Sequence, residues 1–191
     1  MFAGHFGLAA IVKSRTNRVP LWALLVSSQV LDVAFIPMVM TGAESMDETK
    51  YGGGYGGAII HADYTHSLLG AIILTLAAAF AGRWIWGKRA GVIIGAVVFS
   101  HWLLDLIVHR ADMPLLPGNW GDLPLLGFGL WQYPWISITL EALLIAAGTW
   151  MYARAAFQQS GERSRFARVA ASSLLGVVLV LLLVSDAAGW F

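Results

Sequence analysis

Apolar residues along this chain come in long unbroken runs, and the polar residues gather between them. Five runs reach the roughly 20 residues that a helix needs to cross a bilayer. They cover about residues 21–40, 64–82, 90–109, 131–153 and 169–190. A sixth run, residues 2–12, is too short to span and predicts a re-entrant or interfacial half-helix. Tryptophans and tyrosines collect near the run ends (Trp22, Trp84, Trp86, Trp131, Trp135, Trp150, Tyr152, Trp190), where an apolar ring with a polar edge sits at headgroup level. The pattern predicts an all-α fold. It is a polytopic membrane helical bundle with five transmembrane helices and a short N-terminal re-entrant or interfacial helix, in one integral membrane domain over residues 1–191.

Composition removes the soluble alternative. Of the 191 residues, 58% are hydrophobic and 12% charged, with a mean hydropathy of +0.70. A soluble domain of this size would lack the polar side chains to cover its surface. The net charge of +1 and the lack of a basic recognition motif give no pull toward nucleic acid. Without cysteine there are no disulfides and no thiolate ligands. The opening stretch MFAGHFGLAAIVKSR puts its basic residues after the apolar run, the reverse of a secretory signal.

Loop charges orient the bundle. Lys13, Arg15 and Arg18 precede the first span, Arg83, Lys88 and Arg89 join the second to the third, and Arg154, Arg163, Arg165 and Arg168 join the fourth to the fifth. The intervening loops hold Lys50 and Arg110 against Glu44, Asp47, Glu48, Asp63, Asp112 and Asp122. By the positive-inside rule the basic loops are cytoplasmic and the C-terminus is external, in a multi-pass protein of the cell (inner) membrane. The external loop TGAESMDETKYGGGYGG reads as a flexible connector, and QQSGERSR as a solvated linker.

Against this background the intramembrane polar residues stand out. At about 1.5 Å per residue, Asp32 lies roughly 18 Å from the cytoplasmic start of its span, His101 roughly 16 Å and Asp105 about 22 Å. His109 falls near the outer interface, His66 opens the second span with His61 just before it, and Glu141 lies near mid-depth of the fourth. His5 sits in the half-helix, and Asp186 lies close enough to the outer surface to be an ordinary interfacial acid. Each mid-span aspartate costs about 2.5–3.5 kcal/mol to insert, so Asp32, Asp105 and Glu141 together impose about 8–10 kcal/mol. No lysine or arginine lies in mid-span to pair with them. Binding a divalent cation, which releases on the order of 10 kcal/mol in structural zinc sites, is large enough to offset that burden.

Spacing narrows the chemistry. His101 and Asp105, at i and i+4, project from one helix face and can clasp a single ion. His109 is about 12 Å along the axis from His101, too far to share one ion easily. Either Asp105 bridges two ions, or His109 serves the substrate or an outer shell. Imidazole and carboxylate without thiolate suit zinc, manganese or iron.

The segments GHFGLAA (4–10), QVLD (29–32), HADYTHSLL (61–69) and SHWLLDLIVHRADMPLLPG (100–118), with GLW (129–131) and the acid of TLEALL (139–144), run in order through most of the chain. In them the sequence resembles the predicted membrane-bound metal-dependent hydrolases of the YdjM/YbcI-like family, whose ligand pattern is similar to that of zinc-dependent phospholipase C. The resemblance implies His5, Asp32, His66, His101 and Asp105 as metal ligands, with His61 and His109 completing or bordering the site. Glu141 would stand behind the ligands rather than on the ion. Five histidines are fewer than the soluble enzymes carry, and one or two ions are expected rather than three.

The expected function is metal-assisted hydrolysis of a lipid or lipid-linked ester or phosphoester from the external side. Asp105 or Asp32 would hold the ion, and His66 or His109 would shuttle protons. The expected cofactor is a divalent metal, zinc foremost; the expected partners are the bilayer and that substrate. Two other classes use the same residues: a haem- or metal-binding membrane protein without hydrolytic activity, and an ion or proton transporter.

Overall fold

The computed structural model describes residues 1–47, 55–158 and 164–189. The middle of the expected connector (48–54), most of the expected linker (159–163), Trp190 and Phe191 lie outside the described residues. Seven α-helices follow in chain order: α1 (Phe2–Arg15), α2 (Leu21–Ser27), α3 (Val30–Met40), α4 (Leu68–Trp86), α5 (Lys88–Val108), α6 (Pro134–Gln158) and α7 (Arg165–Ala187). Strands β1 (Ser45–Asp47) and β2 (Ile59–His61) pair antiparallel between α3 and α4, with Ser45 opposite His61. The chain is thus an all-α polytopic bundle. Helices α4, α5, α6 and α7 are each long and apolar enough to cross a membrane, and the bent pair α2 and α3 is long and apolar enough when taken together as one span.

Helix ends follow local chemistry. Ser67 caps α4 by accepting from the Gly70 N–H at 3.0 Å, and Ser164 caps α7 by accepting from Ala167 at 3.2 Å. The first N–H groups of α4 donate to the carbonyls of Pro114 and Leu115, so the segment that follows α5 closes over the end of its neighbour. The second span therefore begins at residue 68 rather than 64, because residues 64–67 form the turn that carries the cap. Gly87, at φ +88°, makes the tight turn between α4 and α5. Glycines let these two helices approach closely: a Cβ on Gly91 would meet the Ala79 carbonyl oxygen at 2.5 Å.

Two features depart from the sequence reading. Helix α1 is longer than the expected half-helix, and it packs inside the bundle. Ala3, Gly4, His5, Gly7, Ala9 and Ala10 are buried in the bundle, and a Cβ on Gly7 would lie 2.8 Å from the Leu144 carbonyl oxygen of α6. The first span is broken. Helices α2 and α3 meet at 48° across Ser28 and Gln29, where the Gln29 side chain donates to the Phe2 carbonyl at 3.4 Å. The break owes nothing to Pro37, which lies a full two turns further on within α3. Tertiary contacts hold it.

Candidate metal centre

Three helix N-termini meet the C-terminal half of α5. Helix α1 brings His5 in its first turn, α3 brings Asp32 in its first turn, and His66 stands just before the Ser67 cap of α4. The positive ends of the helix dipoles therefore face the acids. From α5 come His101 and Asp105, one above the other. His5, His66, His101 and Asp105 are each at most 3% exposed, whereas 36% of the Asp32 side chain is accessible. Asp32 is the face through which the cluster meets its cavity.

The donor atoms form two overlapping groups, His5–His101–Asp105 and Asp32–His66–His101, each with its ligand atoms within 4.8 Å of one another. His66 Nε2 lies 3.4 Å from Asp32 Oδ1 and 3.6 Å from Asp105 Oδ2. His101 Nε2 lies 3.4 Å from Asp32 Oδ1 and 2.9 Å from Asp105 Oδ2. A divalent ion bound at about 2.0–2.1 Å spaces tetrahedral donors about 3.3–3.4 Å apart, close to these imidazole–carboxylate separations, and the two groups share His101. The other oxygen of Asp105 faces His5 Nε2 at 3.1 Å, and the His5 ring stacks on His101 at 3.8 Å.

Tautomers sharpen the fit. His101 Nδ1 lies 2.7 Å from the Ser28 carbonyl oxygen, which can only accept, so Nδ1 carries the proton. Its Nε2 is buried and makes no hydrogen bond, although two carboxylate oxygens face it. In the neutral ring that nitrogen would aim a lone pair at two acids, which is repulsive unless a proton or a metal cation stands between them. The break in the first span serves this arrangement by exposing the Ser28 carbonyl. On His66, Nδ1 lies 3.0 Å from Thr65 Oγ1. The Thr65 hydroxyl approaches both oxygens of Glu44, at 3.1 and 3.0 Å, and must spend its single proton there. Thr65 therefore accepts from His66, and Glu44, 2% exposed, anchors the chain with two further bonds from the Tyr64 and Thr65 N–H groups. Both imidazoles are oriented as ligated histidines are, with Nδ1–H tied and Nε2 presented.

The remaining singled-out residues fall around this core. His109 ends α5 and is 3% exposed. Its Nδ1 is paired with Asp112 at 2.9 Å, and its ring lies 6.2 Å from His66 and 4.3 Å from Trp131. It lines the cavity but belongs to neither ligand group. His61 is exposed on β2 and lines another cavity with Asp63, Arg110 and Asp112. Strand pairing to Ser45 and the intervening turn hold it away from His66, so the structure does not bring it to the cluster. Glu141 is fully buried and accepts from the Gly4 N–H at 2.7 Å and the Tyr55 hydroxyl at 2.8 Å. It satisfies an otherwise orphaned donor of α1 and so fixes the helix that carries His5. Burial and the Glu141 carboxylate push the Tyr55 phenol well above its usual range, which keeps it a donor.

Sequence reasoning passed over Ser28, Glu44, Thr65 and Asp112, and took Asp186 for an ordinary interfacial acid, yet Asp186 lines the cavity. Glu44 and Asp112 sat among loop charges that served only to set orientation. No signal separated them from Asp47 or Asp63.

The cavity beside the cluster has a volume of about 470 Å³. Away from the acids and imidazoles its walls are Phe2, Phe35, Ile36, Met46, Ile60 and Trp131. Ile36 is 57% exposed on α3, so the cavity wall reaches the surface of the bundle.

No curated protein and no solved structure matches the chain. The sequence does match a family, with coverage from residue 2 to residue 188, through every helix that builds the centre, and the chain belongs to the YdjM inner membrane protein family.

Proposed function

We propose that this inner-membrane protein is a metal-dependent hydrolase that acts on a lipid or lipid-linked ester or phosphoester from the external side, where its C-terminus also lies. One observation carries the reading. His66 Nε2 and His101 Nε2, both with Nδ1 tied, stand 2.9–3.6 Å from the oxygens of Asp32 and Asp105 at the wall of an apolar cavity. These four residues would hold the ion, zinc first for an imidazole and carboxylate set, with manganese or iron as alternatives. His5, on the second oxygen of Asp105, would hold a second ion or orient that carboxylate.

When bound, the metal supplies a water acidified toward neutrality and an electrophile for the oxygen that gains charge. The chain supplies the rest. Asp112 accepts from His109 Nδ1–H, which leaves Nε2 as the basic nitrogen to take the water's proton and return it to the leaving group. His66 is less suited to that work because both its nitrogens are engaged. Phe35, Ile36 and Trp131 would hold the apolar part of the substrate and exclude water from the reacting bond.

Every clustered imidazole has a carboxylate oxygen within 3.4 Å of its Nε2, which disfavours axial haem ligation. Helices α1, α2 and α4 and the first half of α5 contain no acid, which leaves a transport path without stations at the basic end. Elemental analysis of protein purified without added metal or chelator tests the reading. The parent is expected to retain at least one divalent ion per chain, and His101→Ala and Asp105→Ala to lose it. Full retention in both variants overturns the proposal.

A further inference from the structure

The basic end of the bundle holds a second kind of site. Arg15 from the last turn of α1, Arg18 from the α1–α2 connection, and Lys88 and Arg89 from the first turn of α5 line one cavity of about 600 Å³. Its remaining wall includes Val92 and Ile93, one turn further along α5. Val92 is 67% exposed. All four cationic side chains are exposed, and among the described residues none is paired with a carboxylate. The helices that frame the cavity carry no acid near it, because α1, α2, α4 and the first half of α5 contain none.

The positive-inside rule accounts for basic residues on this face of the membrane. It does not account for four of them, from two connections far apart in sequence, around one cavity. Depth is marked independently. Trp22 and Trp86 stand edge to face at 5.8 Å. Trp22 is 62% exposed at the start of α2, and Trp86 closes α4 beside Lys88. Paired indoles on these two connections place the four cations at headgroup level, with the exposed apolar side chain of Val92 toward the hydrocarbon. Basic pockets between helices at this level suit anionic lipid headgroups, and guanidinium groups take phosphate oxygens two at a time.

We propose that this cavity binds the phosphate of an anionic phospholipid, held by Arg15, Arg18, Lys88 and Arg89, with an acyl chain lying over Val92 and Ile93. The site is separate from the metal centre and does not depend on the hydrolase reading.

Native mass spectrometry of the full chain in detergent, with phosphatidylglycerol and phosphatidylcholine added in turn, tests it. Two double variants carry the comparison: Arg18→Gln with Lys88→Gln inside the cavity, and Arg83→Gln with Arg165→Gln on the same face but outside it. Both remove two charges, so a change in membrane orientation or bulk charge affects them alike. The parent is expected to prefer phosphatidylglycerol, and the cavity variant to bind it about tenfold more weakly. The outside variant should stay within about twofold of the parent. If the cavity variant does not fold, Arg18→Gln alone, at an exposed connection, should still weaken binding several-fold. Equal binding of the two lipids overturns the proposal, as does an equal loss in both double variants or no loss in Arg18→Gln. Displacement of the lipid by millimolar inorganic phosphate would assign the cavity to a soluble anion and overturn the lipid assignment.

Discussion

Helices α5 and α7 are nearly indistinguishable by hydropathy, with their most apolar stretches averaging 2.1 and 2.4, yet 50% of the first is buried inside the protein against 17% of the second. Helix α7 offers a single buried stripe, Ser172, Leu175, Leu179 and Leu183, to its neighbours. It turns Leu174, Val177, Val180 and Leu181 outward. Helix α5 is enclosed: Gly91 and Gly95 meet α4 at one end, and His101 and Asp105 meet three helix N-termini at the other. In lipid an apolar side chain gains little by turning inward, and what sets the enclosed helix apart is the small and polar residues it buries beside Ile94, Val97 and Trp102. Hydropathy finds the spans. Polar spacing finds which span is central.

The largest test sets one acid of each helix against the other. Asp105 faces His5, His66 and His101 within 3.6 Å, while Asp186 lines the same cavity without belonging to either ligand group. Asp105→Asn should reduce retained metal to background, whereas Asp186→Asn should hold it within about twofold, both read by elemental analysis. Equal behaviour of the two variants would erase the distinction between the central and the peripheral helix.

The same contrast shows what the sequence could reveal. Five apolar runs and their aromatic ends were legible because bilayer thickness sets a helix length and interfaces select indole and phenol rings. The i, i+4 pair on α5 was legible because a helix stacks those side chains. Asp32 stood out as a mid-span acid and His5 as a histidine in the half-helix, the family resemblance gave both as ligands, and the structure places both beside that pair. The break at Ser28 and Gln29 was not legible. No proline or glycine marks it, and its cause is a carbonyl bonded to a histidine 73 residues away. Glu44 and Thr65 escaped for a related reason: a loop acid becomes an interior anchor only once α4 begins at residue 68 and turns Thr65 beneath it.

A smaller effect is expected one bond from the centre. Thr65→Val keeps the shape and removes the acceptor for His66 Nδ1–H, and should weaken metal binding by about 10–100-fold, the usual effect of losing such a partner. Thr65→Ser keeps the oxygen and should restore most of the affinity. Metal titration of the two variants, with thermal midpoints of the metal-free proteins as the folding control, reads the difference. If both bind as the parent does, the link from Glu44 through Thr65 merely packs the loop.

The smallest effect bears on how α1 is held, and again sets an inner helix seam against a peripheral one. A Cβ on Gly148 of α6 would strike the backbone of Gly7 in α1, while one on Gly176 of α7 would meet the Thr149 side-chain methyl at 2.9 Å. Replacing a helix-interior glycine by alanine gains about 1 kcal/mol of propensity. At Gly176 a side chain shifts to make room, so the two effects nearly cancel. At Gly148 the obstacle is main chain, and overpacking of about 1–3 kcal/mol should exceed the gain. Gly148→Ala should therefore lower the thermal midpoint in detergent by a few degrees, and Gly176→Ala leave it nearly unchanged. Because α1 carries His5, Gly148→Ala should also loosen the metal, whereas Gly176→Ala should not. A loss of stability without a loss of metal would mean that α1 can shift along α6 and leave the cluster intact, so that the ligands of α3, α4 and α5 suffice without it.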